Sequence, residues 1–137
     1  MQLEADLATF LNCQEAIIYS QGFSTIGSVV PAFAKKGDLI IADAGCSFSI
    51  QKGLQISRST IKWFKHNDMA DLERILLEQK KKDEKDGEIV TRRFIVVEGV
   101  YENYGDICSL PKIVRDPASS CFLMSAGRRL ANSGKID

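Results

Sequence analysis

The segment TRRFIVVEGVYENYGD, Thr91 to Asp106, joins an apolar run to an acidic Glu98-Gly99 step and then to a polar, glycine-containing loop. Ligands of open α/β sheets sit at the carboxyl ends of the strands, where the loops converge. A carboxylate at the end of a buried strand costs several kcal/mol unless it is paired or solvated in a cleft. Glu98 is therefore a candidate for site chemistry, with a salt bridge to a nearby arginine as the alternative. Gly22, followed by Phe23, Ser24 and Thr25 at the opening of a helical pattern, is a candidate anion cradle. A helix N-terminus presents free N–H groups, and glycine lets an anion approach closely. The same residues also read as a simple turn into a helix capped by Ser24. His66 titrates near neutrality, which invites a general-base role. Cys46 has no base near it in sequence and reads as an inert buried thiol.

The surrounding pattern supplies the elements that must position these groups. Leu3, Leu7, Phe10 and Leu11 fall at helical spacing, and AIIYS (Ala16 to Ser20) reads as a short buried strand. Gly22 to Ala34 reads as a helix, with Pro31 predicting a kink or a stop. Gly37-Asp38 forms a turn, LIIAD (Leu39 to Asp43) a second strand, and Ser47 to Ile56 a helix. Ile61 to Lys65 is a third strand, whose Trp63 is expected to pack rather than bind. Asp68 caps a helix that places Met69, Leu72, Ile75 and Leu76 on one face. That helix runs out into Lys80 to Glu88, whose mixed charges and Gly87 predict a solvated surface connection. FIVVEG is the fourth strand, near-continuously apolar as a strand covered on both faces should be. Alternating helices and strands predict a right-handed, mostly parallel three-layer α/β fold.

A chain of 137 residues, 45% hydrophobic and 26% charged, holds one modest core at most. Eighteen basic residues balance eighteen acidic ones, so bulk charge points to neither nucleic acid nor an anionic membrane surface. Cys13, Cys46, Cys108 and Cys121 lack CxxC spacing, and the single histidine, His66, does not complete a zinc site with them. They read as reduced, mostly buried thiols, and no metal is expected. No apolar run reaches the roughly 20 residues of a membrane span, and MQLEADLATF has no signal-peptide character.

In this order, YSQGFST (Tyr19 to Thr25), GDLIIAD (Gly37 to Asp43), HND (His66 to Asp68) and FIVVEG resemble the α-oxoamine synthases. These are pyridoxal-phosphate enzymes that join an amino acid to an acyl thioester. Within them the nearest likeness is to the serine palmitoyltransferases, on the side of their non-catalytic long-chain-base subunits. The resemblance runs from about Leu3 to Val114. It implies a partial large domain of the aspartate-aminotransferase-like pyridoxal-phosphate transferase fold over residues 1–115. Family-matched positions for pyridoxal 5'-phosphate are Gly22, Phe23, Ser24, Ser47 and Glu98, with no catalytic residue in this chain. Ser47 stands where catalytic members carry a histidine that stacks on the cofactor ring. In the family the HND step lies between a strand and a helix, where His66 holds the turn. Tyr101 to Asp106 resembles the loop over the substrate region, which makes Tyr101 and Asn103 candidate substrate contacts.

The implied partner is the catalytic subunit 2 of serine palmitoyltransferase, which supplies the Schiff-base lysine, with serine and acyl-CoA as ligands of the complex. The implied location is the cytosolic face of the endoplasmic reticulum membrane. Two other readings stay open: an inert regulatory or interaction protein, and a homodimeric enzyme such as an aminoketobutyrate ligase. Asp116 to Asp137 departs from the family pattern and is expected to be a disordered tail or the product of a shifted reading frame or retained intron.

Overall fold

The structure is a computed structural model that describes residues 2–86, 92–115 and 122–126. Its order is α1 (Gln2–Phe10), α2 (Gly22–Phe33), β1 (Leu39–Asp43), α3 (Phe48–Ser57), β2 (Thr60–Phe64), α4 (Met69–Asp86), β3 (Arg93–Glu98), α5 (Leu110–Arg115) and β4 (Phe122–Ala126). The four strands form one sheet in the order β2-β1-β3-β4, and every neighbouring pair is parallel. All five residues of β1 are buried, as are the last five of β3, so these two central strands are covered on both faces. β2 lies at an edge, and its Trp63 is 44% exposed. Trp63, expected to pack rather than bind, is thus only partly covered at this edge.

The core gathers around the central strands: Ile40, Ile41, Ile95 and Val96 meet Val30, Ile50 and Leu54 from the helices, with Leu72, Ile75 and Leu76 of α4. Asp68 caps α4 as its sequence predicts, its Oδ1 accepting the N–H groups of Ala70 at 3.0 Å and Asp71 at 3.1 Å. The helix continues through Lys80 to Asp86, where a surface connection was expected. Gln79 donates to Asp83 at 2.7 Å, and Arg93 of β3 bonds the same carboxylate, tying this charged end to the sheet. Pro31 does not stop α2 at once; the helix ends two residues later at Phe33.

One further expectation changes. Ala16 to Ser20 forms no strand: it is irregular, and Ile17 is 72% exposed. Its apolar run satisfies the pattern of a buried strand, but it pairs with none of the described strands, and the pattern alone does not make a ladder. Residues 122–126, within the stretch expected as a disordered or frame-shifted tail, form β4 in register with β3 from Phe94 against Phe122 to Glu98 against Ala126. The apolar start of that run supplies a parallel partner for the unpaired N–H and C=O groups of β3. The remainder of the tail lies outside the described residues.

Gly53 of α3 is where two helices approach closely. A Cβ there would lie 2.8 Å from the backbone oxygen of Ile26 and 3.2 Å from Val30 Cγ2, both in α2. Gly53→Ala is expected to lower stability by about 1–2 kcal/mol, overpacking outweighing the gain in helix propensity. Urea denaturation of the two proteins reads the difference.

Candidate functional site

The carboxyl ends of β1 and β3 each finish on a buried carboxylate, Asp43 at 0% exposure and Glu98 at 4%. Glu98 Oε1 accepts the N–H of Ser47 at 2.6 Å, and Oε2 accepts the N–H of Glu102 at 2.9 Å. Among the described residues no arginine pairs with it; Arg92 bridges to Asp38 and Arg93 to Asp83. Backbone donors at the start of α3 and in the following loop therefore offset the cost of burying this side chain.

Asp43 is more heavily bonded. Its Oδ1 accepts the N–H of Gly45 at 2.6 Å and lies 2.9 Å from His66 Nδ1. Its Oδ2 accepts the N–H of Asn67 at 2.8 Å and the hydroxyl of Tyr101 at 2.7 Å. His66 Nε2 lies 3.1 Å from Asp106 Oδ2, and the ring stacks on Tyr104 at 4.1 Å and meets Tyr101 edge-on at 4.4 Å. Burial pulls the His66 pKa down, but the hydrogen bonds and charges of Asp43 and Asp106 more than offset it, and the net shift is upward. Burial, then the bond to Asp43, pushes the Tyr101 phenol well above its ordinary range.

A cavity of about 340 Å³ opens beside Glu98, between the start of α2 and the start of α3; Gly22, Thr25, Ser47, Val100 and Glu102 also line it. Of the five expected cofactor positions, the structure brings together Gly22, Ser47 and Glu98. Phe23 instead turns outward, 53% exposed, and stacks on Phe48 at 6.2 Å. Ser24 is outside the lining, and the helix cap is Gln21, with no side chain bonding the first turn. Thr25 takes the inward place, its hydroxyl donating to Gln21 O at 3.0 Å. One-turn spacing accounts for the exchange, since neighbouring helical residues face different ways.

Tyr101 is 1% exposed and points at Asp43, so it is not available as a substrate contact. Asn103 sits exposed in the turn. Cys46 is fully buried, its thiol 3.8 Å from Val96 O, and burial followed by the charges of Asp43 and Glu98 raises its pKa far above that of a reactive thiol. Asp43 and Asp106 were not singled out from the sequence, although LIIAD ends on its acid as FIVVE does.

Gly22 leaves open space at the α2 N-terminus, where a phosphate would meet free N–H groups. The same cavity is also lined by two acidic residues, Glu98 and Glu102, whose charge disfavours an anion. Ser47, whose Oγ lies 3.1 Å from Ser49 Oγ, has no ring to stack.

The aminotransferase class I and II family matches residues 1–115. This chain belongs to that family. Over 115 residues it is 52% identical to long chain base biosynthesis protein 1c of Oryza sativa subsp. japonica, covering 84% of this chain and 23% of that protein. It is 44% identical over 115 residues to serine palmitoyltransferase 1 of Dictyostelium discoideum, covering 84% of this chain and 24% of the relative. A solved serine palmitoyltransferase from S. paucimobilis, with a bound PLP-myriocin aldimine, superposes with a TM-score of 0.72 at 29% identity, over 91% of this chain and 29% of that one. The fold is thus a part of the pyridoxal-phosphate transferase α/β fold. The chain spans about a quarter of the length of the curated relatives it matches. Among the described residues of this aminotransferase-family chain, no helix is long and apolar enough to cross a membrane.

Proposed function

We propose that this chain is part of subunit 1 of a serine palmitoyltransferase, the non-catalytic subunit of the enzyme that condenses L-serine with palmitoyl-CoA to 3-ketosphinganine in sphingolipid synthesis. A catalytic subunit 2 carries pyridoxal phosphate on its own lysine, and this chain completes the shared site from the other side. What supports the reading most is Ser47, buried and bonded to Glu98 and Ser49, at the position that the family resemblance matches to the ring-stacking histidine of catalytic α-oxoamine synthases. The high identity to relatives named for long-chain-base synthesis supports it. The same reading places the protein at the cytosolic face of the endoplasmic reticulum membrane. The serine and the acidic lining count against a homodimeric synthase built on this chain.

In the proposed complex, this chain's residues act as a wall. Glu98 fixes the start of α3 through the Ser47 amide and the following loop through the Glu102 amide, so both sides of the cavity are held by one carboxylate. The cofactor, when bound to the partner, supplies the electron sink for carbon–carbon bond formation.

Co-expression with a catalytic serine palmitoyltransferase subunit is expected to raise the soluble yield of this chain, because binding stabilises the folded form by mass action. Borohydride reduction of the co-purified complex, followed by peptide mapping, is expected to leave the pyridoxyl label on a lysine of the catalytic subunit. Stoichiometric label on a lysine of this chain, or no co-purification, overturns the proposal.

A further inference from the structure

The loop after β3 is anchored at its far end by a histidine held between two carboxylates. His66 Nδ1 lies 2.9 Å from Asp43 Oδ1, and its Nε2 lies 3.2 Å and 3.1 Å from the two oxygens of Asp106. A neutral imidazole has one N–H donor and one lone-pair acceptor, so it can donate to only one of these carboxylates and sets its lone pair against the other. The imidazolium donates from both nitrogens and matches both. The stacked Tyr104 ring at 4.1 Å also favours a cation.

We propose that His66 is a positioning residue, an ionic latch whose protonated ring holds the Tyr101–Asp106 loop against the carboxyl end of β1 and loosens it on deprotonation. The loop is bonded within itself. Tyr101 N–H donates to Asp106 O at 2.9 Å and Gly105 N–H to Tyr101 O at 2.7 Å, around Gly105 at φ 75°. Its near end carries Glu102, which lines the cavity beside Val100 and stays tied to Glu98 through its amide at 2.9 Å, so the latch acts on the far end of the loop. Among the described residues, the titratable groups facing the ring are Asp43 from β1 and Tyr101, Tyr104 and Asp106 from the loop. Tyr101 stays neutral, since burial and Asp43 hold its phenol above the ordinary range, and Cys108 behind it is likewise raised by burial. The Asn67 amide donates to Asp106 Oδ2 and to Ile107 O, each at 3.1 Å, and remains in place when His66 loses its proton. Deprotonation therefore loosens the loop without freeing it.

The direction of the pH effect follows from the raised pKa. The stabilisation is fully present below the ordinary histidine value near 6.5 and is lost as pH rises through the folded value. The latch lies wholly within this chain and stands independently of the subunit reading.

His66 is the only histidine, so its ring resonances in the full chain are assigned without ambiguity. An NMR titration from about pH 6 to about pH 9 is expected to place its pKa above the free value. Amide exchange at Gly105 and Cys108, corrected for intrinsic rates, is expected to lose about tenfold protection across the same titration, the worth of one partly exposed charged hydrogen bond. Amides of Ile41 and Val96 in the central strands should not follow it. In Asp106→Asn, the His66 pKa is expected to fall and loop protection to become low and independent of pH. A His66 titration at or below about 6.5, or loop protection that ignores the titration, overturns the proposal. The wild-type pair of measurements decides it even if the variant does not fold.

Discussion

Asp43→Ala is expected to be the most damaging single substitution in the described structure, lowering stability by about 3–5 kcal/mol. The carboxylate is completely buried and has four partners at 2.6–2.9 Å: the amides of Gly45 and Asn67, the hydroxyl of Tyr101 and the ring of His66. Alanine returns none of these bonds and leaves the Tyr101 hydroxyl and two backbone amides without a partner in a space too enclosed for ready hydration. Equilibrium unfolding in urea, with the slope unchanged, measures the loss. Tyr101→Phe, which removes only one of the four bonds, should cost far less; equal losses would mean that the aspartate is not the centre of the network.

Gly45→Ala should be the next most costly, at about 2–3 kcal/mol. A Cβ at this position would stand 2.2 Å from His66 Nδ1, an impossible approach. A flexible side chain would yield cheaply, but this ring is held by Asp43 on one side and Asp106 on the other. The methyl group is expected to push the imidazole off Asp43, so the loss of stability should come with a fall of the His66 pKa toward its ordinary value. A destabilised variant with an unmoved histidine titration would show that the strain is taken up by the backbone instead.

The central strands were legible because a parallel strand buried on both faces must be apolar almost throughout, and LIIAD and FIVVEG are. AIIYS satisfies the same rule and fails as a strand, because an apolar run states a need for burial and not the partner that meets it. Helix α4 was legible from Asp68 and the face of Leu72, Ile75 and Leu76, though its charged end was not. There the deciding contacts, Gln79 and Arg93 on Asp83, depend on the neighbouring strand. In the site, Glu98 stood out because a carboxylate closed an apolar run. The identity of its partners did not, since Ser47 lies 51 residues away and contributes a backbone N–H that every residue but proline carries. The assignment of His66 to hold a turn matches its position, while its two carboxylates, 23 and 40 residues distant, come together only in the fold.

The sheet order β2-β1-β3 has a consequence for the sequence of events during synthesis. β1, α3 and β2 are contiguous in the chain and can pair as soon as they emerge. Asp43 belongs to that early unit, yet its bond to Tyr101 spans 58 residues, and the parallel bond of Ser47 to Glu98 spans 51. Contacts of such long range are slow to form in any chain, because loop closure must be completed before they contribute. On a ribosome adding about 5–20 residues per second, the nascent unit waits several seconds for its third strand. Throughout that interval Asp43 can already hold Gly45, His66 and Asn67, but the place of the Tyr101 hydroxyl must be kept by water, leaving the edge where β3 will enter wet and charged.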